Sequence, residues 1–380
     1  MDKQPPSDNQ GGIEGIAAVS QESLSIVVAG GGTAGHIEPA MAVADAIRRQ
    51  EPSARVTALG TKKGLEGTLV PERGYDLRLI DPVPIPRQLS SSLFSVPARI
   101  RRAVTQAKDI LRDVDADVLI GFGGYVSAPA YLAARSLRIP FFVHEANARA
   151  GMANKLGVRL GGRGLAAVDQ SGISADVVGI PVRKEISSLD RHGLRAEARE
   201  FFGLDPHAPV LLVTGGSQGA RSLNTAVSGA SRELGAAGVS VLHAYGKKNS
   251  VEVCHVDGTP PYVAVPYISR MDLALSAADM IVCRSGAMTV AEVSAAGIPA
   301  VYVPLPHGNG EQALNAKTVV DNSGAILIND DSLRSHTIVD KVIPMITNAD
   351  VLAVMRENTL KSGHANAADD IAQRVIHAAR

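Results

Sequence analysis

Short Val-rich apolar runs recur along the chain, each followed by a turn and then by a stretch whose apolar residues are spaced as in a helix. The first series comprises SIVVAG (25–30), ARVTALGT (54–61), ADVLIGFGGY (116–125), IPFFVHE (139–145) and DVVGIPVR (176–183). Each run is apolar enough to be buried on both faces, which predicts a parallel sheet covered by helices. A second series starts at PVLLVTGGSQGARSLN (209–224) and continues through VSVLHAYG, YVAVPYI, DMIVCRSGAMTVAEVSAAG and PAVYVPLP, so the doubly wound pattern restarts. Between them, RKEISSLDRHGLRAEAREFFG (183–203) is charged and helical in spacing, which places a boundary near Arg183. The expected fold is α/β, with one domain over 24–183 and a similar one over 184–365, facing each other. The polar stretch 1–23, which carries Pro and Gly, is expected to be a disordered tail. NAADDIAQRVIHAAR (366–380) reads as a final helix with Ile371, Val375 and Ile376 on one side; its spacing does not say which domain it joins.

A length of 380 residues is too great for one ordinary core and fits two domains. Hydrophobic residues make up 45%, charged residues 20%, and 37 glycines supply tight strand-to-helix turns. Formal net charge is +0, which excludes the global basic field of a nucleic-acid-binding protein. Two cysteines, Cys254 and Cys283, are too few for a disulfide framework or a cysteine-based zinc site and fit a reducing cytosol. No run of about 18 apolar residues occurs, so no membrane-spanning segment is expected.

Open α/β sheets bind ligands beyond the carboxyl ends of their strands, so the residues just after each run are the chemical candidates. Gly30, Gly32 and Gly35 satisfy G-x-G-x-x-G, a pattern shared by many phosphate and nucleotide sites. A nicotinamide site would also need an acid at the tip of the second strand to hold a ribose; the run instead ends in Gly60-Thr61. His36 closes the loop at a helix start, where the neutral imidazole is favoured and a proton can be accepted near pH 7. The alternative is a histidine that caps or packs the turn.

The stretch GGSQGAR (215–221) again follows a buried strand and offers backbone N–H groups and the Ser217 hydroxyl to an anion. It lacks the Gly-Lys-Ser/Thr ending of a Walker loop, so Mg-ATP chemistry has no anchor. RSGAMTVAEVSAAGIP (284–299) sets Glu292 in the first turns of a helix, where a carboxylate accepts both hydroxyls of a ribose diol or merely complements the helix dipole. PHGNGEQALNA supplies Glu311, Gln312 and Asn315, groups suited to sugar hydroxyls or to a solvated loop. Asp115 and Asp117 have a D-x-D look, yet they precede a strand and so lie at the wrong end of the sheet for a site metal.

Taken together, GGGTAGH, GFGGY, HEAN, GIPVR, GGSQGA, CRSGAMTVAE and GEQALNA, in this order from Gly30 to Ala316, closely resemble the MurG family of bacterial N-acetylglucosaminyltransferases. The resemblance implies a GT-B fold of two Rossmann-like domains, with the acceptor on the first and UDP-N-acetylglucosamine mainly on the second. It also implies a final helix that crosses back to the first domain. The implied reaction is a single inverting displacement that moves N-acetylglucosamine onto the 4-hydroxyl of undecaprenyl-diphospho-N-acetylmuramoyl-pentapeptide, lipid I, for peptidoglycan synthesis. No cofactor and no mandatory metal are implied.

Carried over by motif, donor contacts fall on Thr33, Ala34 and Gly35, on Asn147 of HEAN, on Arg183 of GIPVR, and on Ser217. They continue at Ile268, through Ala287, Met288, Thr289, Val290, Ala291 and Glu292, and at Gln312. His36 is expected to be the catalytic base. Ala146 and Glu311 depart from the family, which often carries Gln at both positions. The rival readings are a nonhydrolysing UDP-N-acetylglucosamine epimerase of the same layout and a non-catalytic nucleotide-sugar-binding scaffold.

A lipid acceptor implies a membrane surface. Between Pro86 and Arg112 lie Arg87, Arg99, Arg101, Arg102, Lys108 and Arg112 against one acid, Asp109, interleaved with Leu89, Leu93, Phe94, Val96 and Ile100. Such a basic and apolar stretch is expected to hold the protein peripherally on anionic lipid of the inner leaflet, at the cytoplasmic face of the cell membrane. An ordinary amphipathic helix packed on the first domain is the alternative.

Overall fold

The computed structural model describes residues 23–62, 64–83, 96–307 and 310–380. The first sheet holds β1 Ser25–Ala29, β2 Arg55–Thr61, β3 Asp76–Ile80, β4 Val118–Gly121, β5 Phe141–Glu145, β6 Arg163–Ala166 and β7 Asp176–Val177, in the order β3-β2-β1-β4-β5-β6-β7. The second holds β8 Val210–Thr214, β9 Ser240–Ala244, β10 Tyr262–Val265, β11 Met280–Cys283, β12 Ala300–Tyr302 and β13 Ala325–Leu327, in the order β10-β9-β8-β11-β12-β13. All the pairings are parallel, with Ala29 opposite both Leu59 and Gly121, and Cys283 opposite Thr214.

Alternation along each strand explains why both faces are covered. Ile26 and Val28 of β1 pack under helix α1 (Ala34–Gln50), which α2 (Glu66–Glu72) follows in chain order, while Val27 and Ala29 pack on the opposite face with Ala103 and Ala107 of α3 (Val96–Asp113) and Ala130 and Tyr131 of α4 (Ser127–Leu137). In the second sheet, Leu211 and Val213 face one core and Val210 and Leu212 the other. A parallel strand buried on both sides needs this continuous apolar run, each fully buried Val or Ile contributing up to about 1.5–3 kcal/mol.

Three strands do not show in the Val-rich pattern. β3 reads DLRLI, with its charged residues toward water; β6 begins at Arg163 beside Gly161 and Gly162; β13 is only three residues long. β3 and β13 take their places as sheet edges and β6 from pairing between β5 and β7, rather than from their own alternation.

Helix Arg191–Phe202, capped by Asp190, belongs with the second sheet: Arg195 and Arg199 both pair with Asp279 (2.8 and 2.9 Å), whose carboxylate also accepts the Val210 N–H. The last helix, Ala367–Ala379, returns to the first sheet. Its Ile371, Ala372, Val375 and Ile376 enter the α1 core, and Asp369 pairs with Arg49 at 2.8 Å.

Candidate active site in the cleft

Each sheet order reverses once, between β1 and β4 in the first sheet and between β8 and β11 in the second, and crevices open at such reversals. The chemical motifs lie at these two points: Gly30–His36 and the GFGGY turn in the first, Gly215–Arg221 and Arg284–Glu292 in the second.

At the first point, Thr33 stands in extended conformation at the start of α1, and His36 turns back over the loop. Its Nδ1 lies 3.2 Å from the Gly31 carbonyl and 3.3 Å from Thr33 Oγ1. The turn after β4 forms the floor beneath the ring. Gly123 and Gly124 have φ of +100° and +83°; a Cβ on Gly123 would sit 3.1 Å from His36 Nε2, and one on Gly124 would strike the Gly31 carbonyl. Glycine at position 123 thus leaves room at the Nε2 edge that a Cβ would take up. Burial pushes the imidazole below its ordinary value, opposed by the Gly31 carbonyl and by Glu145, Glu311 and Glu66. His36 is therefore neutral near pH 7 and able to accept a proton. Thr33, Ala34 and Gly35 are exposed at the cleft rim beside it.

A carboxylate does reach the tip of β2, although the strand's own end has none. It is Glu66, delivered by the next helix, Glu66–Glu72, and fully buried. One oxygen accepts from Thr61 N and Thr61 Oγ1 (2.7 and 2.8 Å) and the other from Gly32 N (3.1 Å), so it is spent inside the protein and cannot hold a ribose. The signal that would have found it is an acid set between Gly64 and Gly67, directly after the glycine-ended strand.

HEAN ends β5. Glu145 is buried: one oxygen accepts from the Asn147 N–H and side-chain amide, the other from Gly151 N and Asn154 Nδ2. Asn154 in turn accepts from the Tyr131 hydroxyl. This network sets the position of Asn147 at the cleft, and only Asn147 was singled out by motif; Glu145 and Asn154 are the supports behind it.

In the second point, Gly216 and Gly219 (φ +82° and +74°) turn the chain so that Ser217 and Gln218 stand exposed before helix Arg221–Ser228. Behind them runs a buried chain in which Asn224 donates to the Tyr245 carbonyl, His243 bonds Asn224 at 3.0 Å, and its other nitrogen meets the Tyr262 hydroxyl at 2.7 Å. Burial drives His243 down to about 4. Arg284 is a support too, joining the Val303 and Pro304 carbonyls, Asp330 and Ser222.

Helix Ala287–Ala295 presents two sides. Ala287, Val290 and Ala291 line a cavity of about 300 Å³ opposite Ala146 and Ala148. Glu292 points elsewhere, to Arg183 at 3.5 Å, while Arg183 lies 3.9 Å from Glu38 of α1. Burial raises the Glu292 carboxyl, and Arg183 opposes that shift. Met288 and Thr289 are half-buried beside them. The Ile268 side chain is buried in the second core, which leaves its backbone as the part that can read a ligand. Gln312 accepts from Leu305 N at 2.9 Å through its oxygen. Asn315 crosses the cleft, accepting from Ala148 N at 2.9 Å and donating to the Ser285 carbonyl, so it ties the two halves together instead of offering itself to a sugar.

Of the basic stretch, Arg87, Leu89, Leu93 and Phe94 lie outside the described residues. The described part corrects the apolar half of that expectation: Val96 is buried and Ile100 packs toward the core, because the inward stripe of α3 supplies the second face of the sheet. Arg101, Arg102 and Arg112 are exposed. Asp117 sits at the amino end of β4 and accepts the Ser25 N–H at 2.7 Å, far along the strand from the cleft loops.

Two parallel sheets whose reversal points face each other across a cleft define the GT-B class of glycosyltransferase folds. Residues 26–161 match the glycosyltransferase family 28 N-terminal domain and residues 210–375 the glycosyltransferase family 28 C-terminal domain, and the chain belongs to glycosyltransferase family 28. A relative from Corynebacterium jeikeium (strain K411), named UDP-N-acetylglucosamine--N-acetylmuramyl-(pentapeptide) pyrophosphoryl-undecaprenol N-acetylglucosamine transferase, is 63% identical over 362 residues, 95% of this chain and 98% of its own. The crystal structure of Acinetobacter baumannii MurG is similar with a TM-score of 0.74 at 28% identity, across 93% of this chain and 99% of that one. The expected likeness to the MurG family is borne out. A UDP-GlcNAc 2-epimerase from Neisseria meningitidis, bound to UDP-GlcNAc, reaches a TM-score of 0.65 across 93% of this chain and 100% of its own, but at 15% identity that likeness is of fold alone.

Proposed function

We propose that the chain is a hexosyltransferase that moves N-acetylglucosamine from UDP-N-acetylglucosamine to the 4-hydroxyl of lipid I, with inversion at the anomeric carbon, forming lipid II for peptidoglycan synthesis. The observation that carries the reading is an imidazole, His36, held against the Gly31 carbonyl and Thr33 Oγ1 at one reversal point of the cleft. The Glu311 carboxylate acts on His36 from across the cleft. The family and the 63% identity to the named transferase support the same substrates.

Residues 24–183 with the last helix form the acceptor half and residues 184–365 the donor half. The hydroxyl oxygen bonds to the anomeric carbon as the bond to the diphosphate breaks, the electron pair leaving with UDP. His36 takes the hydroxyl proton. Ser217 and the N–H groups at Ala287, Met288 and Thr289 meet the developing charge on the diphosphate, with Arg183 beside them. Glu292 holds the ribose, and Ile268 reads the uracil by its backbone. Asn147 and Gln312 take sugar hydroxyls, with Thr33, Ala34 and Gly35 close to the transfer point. Val290 and Ala291 shape the wall. Arg183, 3.5 Å from Glu292 Oε1, orients that carboxylate beside the ribose. Incubation with UDP-N-acetylglucosamine and a short-chain lipid I analogue should yield the disaccharide product; conversion of the donor without acceptor, or no turnover at all, overturns the reading.

The protein meets its acceptor peripherally at the cytoplasmic face of the membrane. No described helix is long and apolar enough to cross a bilayer. The exposed cations of α3 offer attraction to anionic lipid, on the order of 1 kcal/mol each. Arg101→Glu/Arg102→Glu should lose binding to anionic vesicles and keep activity on a water-soluble acceptor. Vesicle binding equal to the unaltered protein would refute this surface.

A further inference from the structure

Glu66 is an inversion of ordinary burial: in the same turn Leu65 is 52% exposed and the Glu66 carboxylate 0%. A buried carboxylate persists only where donors compensate it, and here the donors are the Thr61 N–H and hydroxyl and the Gly32 N–H. The slot exists because its walls are glycines. A Cβ on Gly31 would stand 2.8 Å from the carboxylate, one on Gly60 2.7 Å from Cγ, and one on Gly64 would overlap the carboxylate outright.

The N–H of Gly32 and the carbonyl of Gly31 are the two ends of one peptide group. Glu66 accepts from the first at 3.1 Å, and the second lies 3.2 Å from His36 Nδ1. A carboxylate pulling on the N–H polarises the peptide and makes its carbonyl a stronger acceptor. We propose that Glu66 is a positioning residue for the transfer reaction, acting through the Gly31–Gly32 peptide to keep a proton on His36 Nδ1, so that Nε2 presents its lone pair and the resulting imidazolium is stabilised. This rests on the reading of His36 as the base. The proton from the attacking hydroxyl goes to Nε2, the new bond to the anomeric carbon forms, the bond to the diphosphate breaks toward UDP, and Nε2 later returns the proton to solvent.

The competing arrangement puts the proton on Nε2, with Nδ1 accepting from Thr33 Oγ1 at 3.3 Å and the Gly31 carbonyl left without its imidazole donor. The charged groups that face His36 are Glu145 from β5, Glu311 from helix Glu311–Asn315, and Glu66; all three favour the imidazolium, against burial. Only Glu66 is coupled to Nδ1 through a peptide.

The test is a pH titration of the full-length protein by ¹⁵N NMR of His36, with His36→Gln to assign the signal. In the unaltered protein the Nδ1–H tautomer should dominate; a dominant Nε2–H tautomer overturns the proposal whatever any variant does. In Glu66→Gln the amide oxygen is drawn to the two Thr61 donors, which turns the NH₂ group toward the Gly32 N–H and breaks that contact. The His36 titration should then move to lower pH. kcat should fall about tenfold, its acid limb should shift the same way, and the donor KM should hold within about threefold. A folded Glu66→Gln protein with unchanged His36 tautomer and titration overturns the proposal, because a merely structural loss would lower kcat without moving the imidazole. Should that variant not fold, Thr61→Val removes one donor to Glu66 Oε1 and leaves the carboxylate a stronger acceptor toward the Gly32 N–H, so the His36 titration should move to higher pH; no movement overturns the proposal. The NMR readouts do not depend on turnover, so failure of the transferase reading would appear separately, as absence of product in the unaltered protein.

Discussion

After β1 the turn is held from within: Glu66 takes the Gly32 N–H, His36 lies against the Gly31 carbonyl, and Gly124, in the turn after β4, leaves no room for a Cβ against the same carbonyl. After β8 the turn is held largely by its own groups, Gly216 N on Thr214 Oγ1 and Gly219 N on the Gly216 carbonyl, with Asn249 donating to the Gln218 carbonyl, and it exposes the Ser217 and Gln218 side chains. On the proposed reaction, the same strand-turn-helix unit serves two purposes. A side chain that transfers a proton needs one fixed orientation, which committed peptide groups provide. A loop that takes up and releases a diphosphate needs exposed donors, which a self-supporting turn leaves available.

The sharpest break of this comparison is His36→Gln, expected to lower kcat by about 10²–10⁴-fold with donor affinity nearly unchanged. Near-full turnover at saturating substrates would mean that the first loop is fixed for packing alone.

The support behind the second loop is expected to show in stability. His243 is driven from 6.5 to about 4 in the folded chain. A depressed pKa means that its neutral form belongs to the fold, so the contribution is complete above pH 6.5 and is lost as pH falls toward 4. At pH 5 the loss is about 2 kcal/mol relative to neutral pH. Urea unfolding at both pH values should show that loss in the unaltered protein and a smaller one in His243→Gln; equal losses would remove His243 from the account.

Smaller effects belong to the donor contacts. Glu292→Ala should raise the donor KM about tenfold through lost hydrogen bonds to the ribose, with the fold intact by circular dichroism. Unchanged UDP binding by calorimetry would sink that assignment. Ser217→Ala, losing one hydroxyl among several donors, should cost about two- to fivefold in donor KM. An effect as large as that of His36→Gln would show that the two loops do not divide the work as their construction implies.

Much of this molecule is legible along the chain because a parallel sheet writes itself as Val-rich runs and its ligand loops follow those runs in sequence. The placement of Thr33, His36, Ser217 and Glu292 after strand ends was readable for that reason. Glu145 and Asn154 were not, since a buried acid and amide that satisfy one another resemble any polar residues until their partners are known. The strands β3, β6 and β13 escaped for a related reason: short or charged segments acquire their pairing from the neighbours they meet.

The sequence by itself determined the α/β class, the restart of the pattern after Arg183, and the motifs at the strand ends, because these depend on local periodicity and on glycine turns. The tertiary structure alone decided which groups are spent and which remain available. It turned Asn315 into a cross-cleft tie and set Arg183 against Glu292, and it brought Glu66 to the tip of β2 in place of an acid on the strand itself. A hydrogen bond between residues distant in the chain has no periodicity to announce it; it exists only when packing brings donor and acceptor within about 3 Å of each other.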